Sequence, residues 1–306
     1  MKKLLILPII IISLFIFVGC GNASQSSGEP AGTAGEYTGE LTTPITVTAE
    51  EETITLNNVT AKLDESLISA ENTKSLTIVL KGESSVEITK EEVKAIDSTG
   101  DITIKGDGIL NIKSVDTAIK SNDNLTIESG TLNIETEGDG VRANETLTVN
   151  GGTLKINAEE AIEATEVIIN GGTIDVAASD DGINAAQKSE TKTPKIEING
   201  GDITIDMGQG DTDAIDSNGD IIINGGKIKI TAQFAFDFTG KGELNGGEVY
   251  VNGEKVETIE NSMQEGMPQN GGMQRGGTPP ENGRPENFRE KPENRVNTEN
   301  EENTQV

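Results

Sequence analysis

The 306-residue chain carries 52 acidic against 24 basic side chains, a formal charge of -28, so it lacks the basic footprint that nucleic-acid binding requires, and that class is excluded. Aromatic residues make up 3%, with no tryptophan, while glycines number 36; such a chain buries aliphatics in short repetitive strands rather than in an aromatic-rich core. One cysteine and no histidine remove intramolecular disulfides, Ser-His-Asp and Cys-His catalysis and ordinary zinc chemistry, and leave oxygen ligands, which favour hard cations.

At the N-terminus, Lys2 and Lys3 precede an apolar run from Leu4 to Val18 that is too short for a comfortable membrane span, which is the pattern of an export signal. It leads into Phe17-Val18-Gly19-Cys20, which resembles the bacterial lipobox. That resemblance implies cleavage before Cys20 and acylation of its thiol, an anchor that places the protein outside the cell on a membrane. Residues 1–19 are thus expected to be removed. Residues 20–36, rich in Ser, Gly, Ala and Thr, read as a flexible tether.

Residues 37–261 form a repeat, and the repeat decides the fold. A small residue followed by an apolar one opens each unit at Ala95, Ala118, Gly140, Ala161, Gly182, Ala214 and Ala235, with spacings of 23, 22, 21, 21, 32 and 21 residues. Two further apolar-x-apolar pairs follow each opening, such as Leu147/Val149 and Leu154/Ile156, so each unit holds three short strands. Between the second and third pairs stands Asn-Gly-Gly, beginning at Asn150, Asn170, Asn199, Asn224 and Asn245, where the chain must turn through positive φ. Three strands to a 21-residue turn predict an all-β, right-handed parallel β-helix. With an earlier unit at Leu67-Ile68, eight rungs are expected. Ile45, Val47, Ile54 and Leu56 are expected to cap one end and the Phe234/Phe236/Phe238 cluster the other.

Residues 262–306 change character. They hold five of the nine prolines and few aliphatics, a composition that predicts disorder. Their charge nearly balances, so the excess acid belongs to the repeat.

Superposed units place residues in columns one rung apart, where like charges repel unless something neutralises them. One column reads Asp97, Lys120, Arg142, Glu163, Asn184, Asp216 and Asp237. The column just before each opening carries Asp139, Glu160, Asp181 and Asp213 on consecutive rungs, with Asp180 beside it. Carboxylates so spaced can share calcium, which accepts six to eight oxygens in flexible geometry. The bland alternative is a solvated acidic face. The densest cluster, Asp180 and Asp181 with Asp211, Asp213 and Asp216, coincides with the one unit of 32 residues, whose extra length falls near Gln187–Pro194 and Asp206–Thr212. Insertions in a solenoid become loops, and loops on rigid scaffolds carry sites. Asp139 and Glu160 complete the candidate metal ligands. Lys120 and Arg142 are candidates for contact with an anionic sugar, or else solvent charges balancing the acids.

The segments Ser179-Asp180-Asp181-Gly182-Ile183-Asn184-Ala185 and Asp213-Ala214-Ile215-Asp216-Ser217, with the Asn-Gly-Gly-x-Ile-x-Ile units, resemble a β-helical carbohydrate-binding domain family of bacterial exported proteins, over about residues 40 to 255. The resemblance implies a parallel β-helix like that of pectate lyases, calcium at acidic rungs, and binding to cellulose or polygalacturonate without catalysis. The family often has histidine where Asn184 stands; Asn184 is the third candidate for carbohydrate contact. The expected function is that of a surface-anchored, monomeric, non-catalytic polysaccharide-binding protein. The alternatives are a calcium-stiffened surface rod and, more remotely, a calcium-dependent polysaccharide lyase, which would need a base that the acidic columns supply only as Lys120 or Arg142.

Overall fold

The structure is a computed structural model that describes residues 35–208 and 212–262. Cys20, the export signal, the proposed C-terminal tail and Asp211 lie outside the described residues.

The described chain is all strand and turn, wound into a parallel solenoid. Nine first strands, from Ile45–Val47 to Phe234–Phe238, stack in register into one face. Their inward column runs Ile45, Ile68, Ile96, Ile119, Val141, Ile162, Ile183, Ile215 and Phe236. All nine are buried, each contributing about 1.5–3 kcal/mol by removal from water. The second and third strands of each unit stack in the same way, as in Thr146–Val149 on Glu166–Ile169 and Thr153–Ala158 on Thr173–Ala178. Period-two alternation sends every other side chain inward.

The rod has nine turns where the repeat suggested eight. The difference lies at the N-terminal end, where Ile45, Val47, Ile54 and Leu56 belong to a complete first rung. Glu51–Leu63 is one continuous strand that serves as both second and third strand of that rung, pairing with Ser75–Lys81 along its first half and Glu83–Ile88 along its second. The cap is instead Gly35–Leu41, which lies parallel on Glu51–Leu63. At the other end the phenylalanine cluster forms part of the ninth rung, and Glu254–Val256 folds back antiparallel on Glu248–Val251 to close the edge.

The small opening residue of each unit is a steric demand. At Gly182 even a methyl group would stand 2.5 Å from the Ala214 carbonyl oxygen and 2.8 Å from Ile205. The Asn-Gly-Gly turns follow equally from sterics. Gly152 holds φ at +88°, and an added Cβ would meet the Gly130 carbonyl at 2.7 Å. The asparagines form a ladder along the rod, Asn170 donating to Asn150 at 2.8 Å, Asn199 to Asn170 at 3.0 Å, Asn224 to Asn199 at 2.9 Å and Asn245 to Asn224 at 3.0 Å.

Candidate metal centre

The outward column of the first-strand face reads Asp97, Lys120, Arg142, Glu163, Asn184, Asp216 and Asp237 by register. Outward residues of a sheet ordinarily meet water. Glu163 and Asn184 do not: they are only 1% and 6% exposed. For Glu163 the cover comes from the insertion between Ile183–Ala185 and Lys195–Ile198, whose Lys188 sits on its carboxylate. The backbone N–H groups of Lys188 and Ser189 each donate to Thr165 Oγ1 at 2.9 Å. Ser189 Oγ donates to Glu145 Oε1 at 2.6 Å, and Thr191 Oγ1 to Glu145 Oε2 at 2.7 Å. These hydroxyl donors hold the Glu145 carboxyl below its ordinary range. Lys192 and Lys195 reach Glu166 at 3.1 Å. The loop thus spans the fifth to seventh rungs.

The column before the first strand is also formed as four successive acids. Gly140 N–H donates to the Glu160 carbonyl, Ala161 N–H to Asp181, and Gly182 N–H to Asp213, so their side chains leave the corner one rung apart. Among the described residues two groups of three carboxylates come close enough to share an ion, Asp139/Glu160/Glu163 and Glu160/Asp180/Asp181, each with ligand oxygens within 4.8 Å of one another.

The two groups differ in their counter-charge. In the first, the protein supplies its own cations: Arg142 Nη1 donates to Asp139 Oδ2 at 2.9 Å, Arg142 Nε approaches Glu163 Oε2 at 3.1 Å without aligning into a hydrogen bond, and Lys188 Nζ meets Glu163 Oε1 at 2.5 Å. In the second, no basic side chain among the described residues pairs with Glu160, Asp180 or Asp181. Asn184 Nδ2 donates to Glu160 Oε2 at 3.1 Å, while its Oδ1 is buried with no hydrogen-bond partner. A buried amide oxygen without a donor costs roughly 1–3 kcal/mol, and it is a hard ligand.

The electrostatics agree. Burial first, then Glu163 and Asp139, pushes the Glu160 carboxyl up to about 8. Burial, then Asp216, Asp180 and Asp213, pushes Asp181 up to about 7. Asp216 rises to about 6 through burial and Asp237. Glu160 and Asp181 thus resist ionisation near neutral pH, and a cation among them would reverse the effect.

The residues singled out in the sequence are thereby distributed as follows. Glu160, Asp180 and Asp181 come together; Asp139 joins Glu160 and Glu163 beside Arg142; Asp213 and Asp216 lie one rung on and act on Asp181 through charge. Arg142 is committed to carboxylates, and Asn184 is buried with its amide on Glu160. Lys120 makes no ion pair among the described residues and stands half-exposed beside Asp97 and Arg142. Glu163 was read only as a column member, because its burial depends on the fold of a loop that sequence periodicity does not describe.

A family model described as carbohydrate-binding domain-containing protein matches residues 31–265, the whole of the solenoid. The chain belongs to that family. The carbohydrate-binding domain here is thus the β-helix itself. Among solved structures, one titled as the polysaccharide lyase-like protein from C. thermocellum, a gadolinium derivative, is similar at 20% identity, covering 71% of this chain and 83% of that one with a TM-score of 0.43. No curated protein matches.

Proposed function

We propose that this protein binds polysaccharide at the bacterial surface without cleaving it, tethered through an acylated Cys20, with calcium held at Glu160, Asp180 and Asp181. The observation that carries the binding role is the family match across every rung. The metal reading rests on fit. Three carboxylates and the unsatisfied Asn184 carbonyl offer only hard oxygens, which suits calcium over softer-ligand ions. Asp180 is exposed, which leaves room for water to complete the shell. When bound, the ion would supply charge compensation; the chain's own residues hold the site's shape, through the rung-to-rung backbone bonds and the Asn184–Glu160 contact.

The test uses the chain lacking its export signal, with Cys20→Ser to prevent acylation. Its retention on insoluble cellulose and on immobilised polygalacturonate is measured with calcium and with chelator, while the supernatant is monitored for unsaturated sugar products. Retention without product supports the reading. Product release would make the protein a lyase, and absence of retention on every glycan would leave a calcium-stiffened rod.

A further inference from the structure

We propose that the glycan is taken by the outer face of the third strands, in a groove whose open polar groups are Lys155, Asn157 and Asp175, and that the glycan is an extended uncharged polysaccharide. This rests on the polysaccharide-binding reading; it adds a site to it and, of the two glycans that the resemblance implies, selects the uncharged one.

A groove of about 990 Å³ runs along this face from Thr60–Lys62 in the first rung to Asp175–Ala177 in the sixth. Five rung intervals at about 4.8 Å give a track of roughly 24 Å parallel to the rod, which accommodates a segment of an extended chain lying across successive strands. No aromatic side chain lines it, so recognition there rests on hydrogen bonds.

The charges in the groove balance although the chain as a whole stands at -28. Its three lysines, at 62, 113 and 155, face three carboxylates, at 87, 135 and 175. A polyanion approaching this rod gains no local positive field and meets the repulsion of the whole molecule. An uncharged glycan meets neither.

The polar groups are not equally available. At the N-terminal end they satisfy one another: Lys62 pairs with Glu87 at 2.7 Å, Lys113 with Glu135 at 2.6 Å, and Asn133 donates to Asn111 at 2.8 Å. At the fifth and sixth rungs the pattern stops. The side chains of Lys155, Asn157 and Asp175 are exposed, and none of them has a hydrogen-bond or ion-pair partner among the described residues. Lys155 and Asp175 are neighbours in register, and Ala177 next to Asn157 leaves the space above it open. An ammonium donor, a carboxylate acceptor and an amide that does both form a set suited to neighbouring sugar hydroxyls, each of which donates one hydrogen bond and accepts others. None of the three belongs to the acidic cluster, so recognition here needs no bound ion as a ligand.

The experiment is affinity electrophoresis of the Cys20→Ser chain through gels containing hydroxyethyl cellulose or polygalacturonate, alongside a Lys155→Ala/Asn157→Ala/Asp175→Ala variant and a Lys105→Ala control on the second strand Asp101–Gly106, away from the groove. All substitutions are at solvent-facing positions, and matched melting temperatures establish that each variant is folded. Retardation by hydroxyethyl cellulose, weakened at least tenfold in the triple variant and unchanged in the control, is the expected result. Equal retardation of parent and triple variant overturns the groove while leaving polysaccharide binding intact. Retardation by polygalacturonate alone overturns the ligand class. No retardation in either gel overturns both the groove and the binding role it rests on.

Discussion

At the scale of single residues, Glu160 is the hinge of the acidic corner, because it belongs to both carboxylate groups and takes the Asn184 amide. Its carboxyl ordinarily titrates near 4.5 and stands at about 8 here, and Asp181 rises from 3.8 to about 7. The sign follows from linkage. A carboxyl whose folded value is raised binds its proton more tightly in the folded state, so stability is lost as pH climbs from the unfolded value through the folded one. Without metal, the melting temperature should therefore fall between about pH 5 and pH 8. Calcium should restore it, with a larger rise at pH 8 than at pH 5. Glu160→Gln removes the charge while keeping the shape and the contact with Asn184. It should flatten the metal-free pH dependence and shrink the calcium increment, both read by melting curves in chelator and in millimolar calcium. A pH-independent melting temperature in the parent would show that these acids are ordinary surface carboxylates.

Individual elements divide into those that the repeat specifies and those that it does not. The turns belong to the first kind. Asn-Gly-Gly recurs because the second glycine must take positive φ beneath the carbonyl of the previous rung, and Gly152→Ala should cost about 1–3 kcal/mol, measurable as a shifted urea midpoint with an unchanged slope. The columns were legible for the same reason, since a period of two within strands and about 21 between them fixes which residues stack. The inserted segment belongs to the second kind. A break in the period locates it between Ala185 and Lys195, yet nothing in that stretch announces that its Lys188 sits on Glu163. Its anchors, Thr165 and Glu145, are common polar residues one and two rungs away. Hence the burial of Glu163, and the engagement of Arg142 and Lys188 as its counter-ions, appear only in three dimensions. Replacing residues 187–193 by a short Gly-Ser turn should uncover Glu163. A buried acid stripped of Lys188 and returned to water loses its partner and its desolvation together, so the expected loss is modest, about 1–2 kcal/mol, with faster hydrogen exchange confined to rungs five to seven.

The solenoid of the described residues is built from strands that pair with the rungs next to them, so its stability is close to a sum of rung and interface contributions and its ends are its weak points. The third-strand groove follows from the same regularity, since six rungs in register present the same two outward columns at the same spacing. That continuity depends on the first rung being held. Gly35–Leu41 covers Glu51–Leu63, whose exposed N–H and C=O groups would otherwise offer thirteen residues of unpaired edge. Uncovered edges of that length recruit other chains. Starting the chain at Leu41 should lower the melting temperature and give concentration-dependent association by light scattering that the chain retaining Gly35–Leu41 does not show. Lys62 stands on that same strand and anchors the first-rung end of the groove through Glu87, so oligomers joined edge to edge would extend the groove across the junction. If the shortened chain shows no added association and an unchanged melting temperature, the first rung caps itself, and Gly35–Leu41 merely rests on the solenoid.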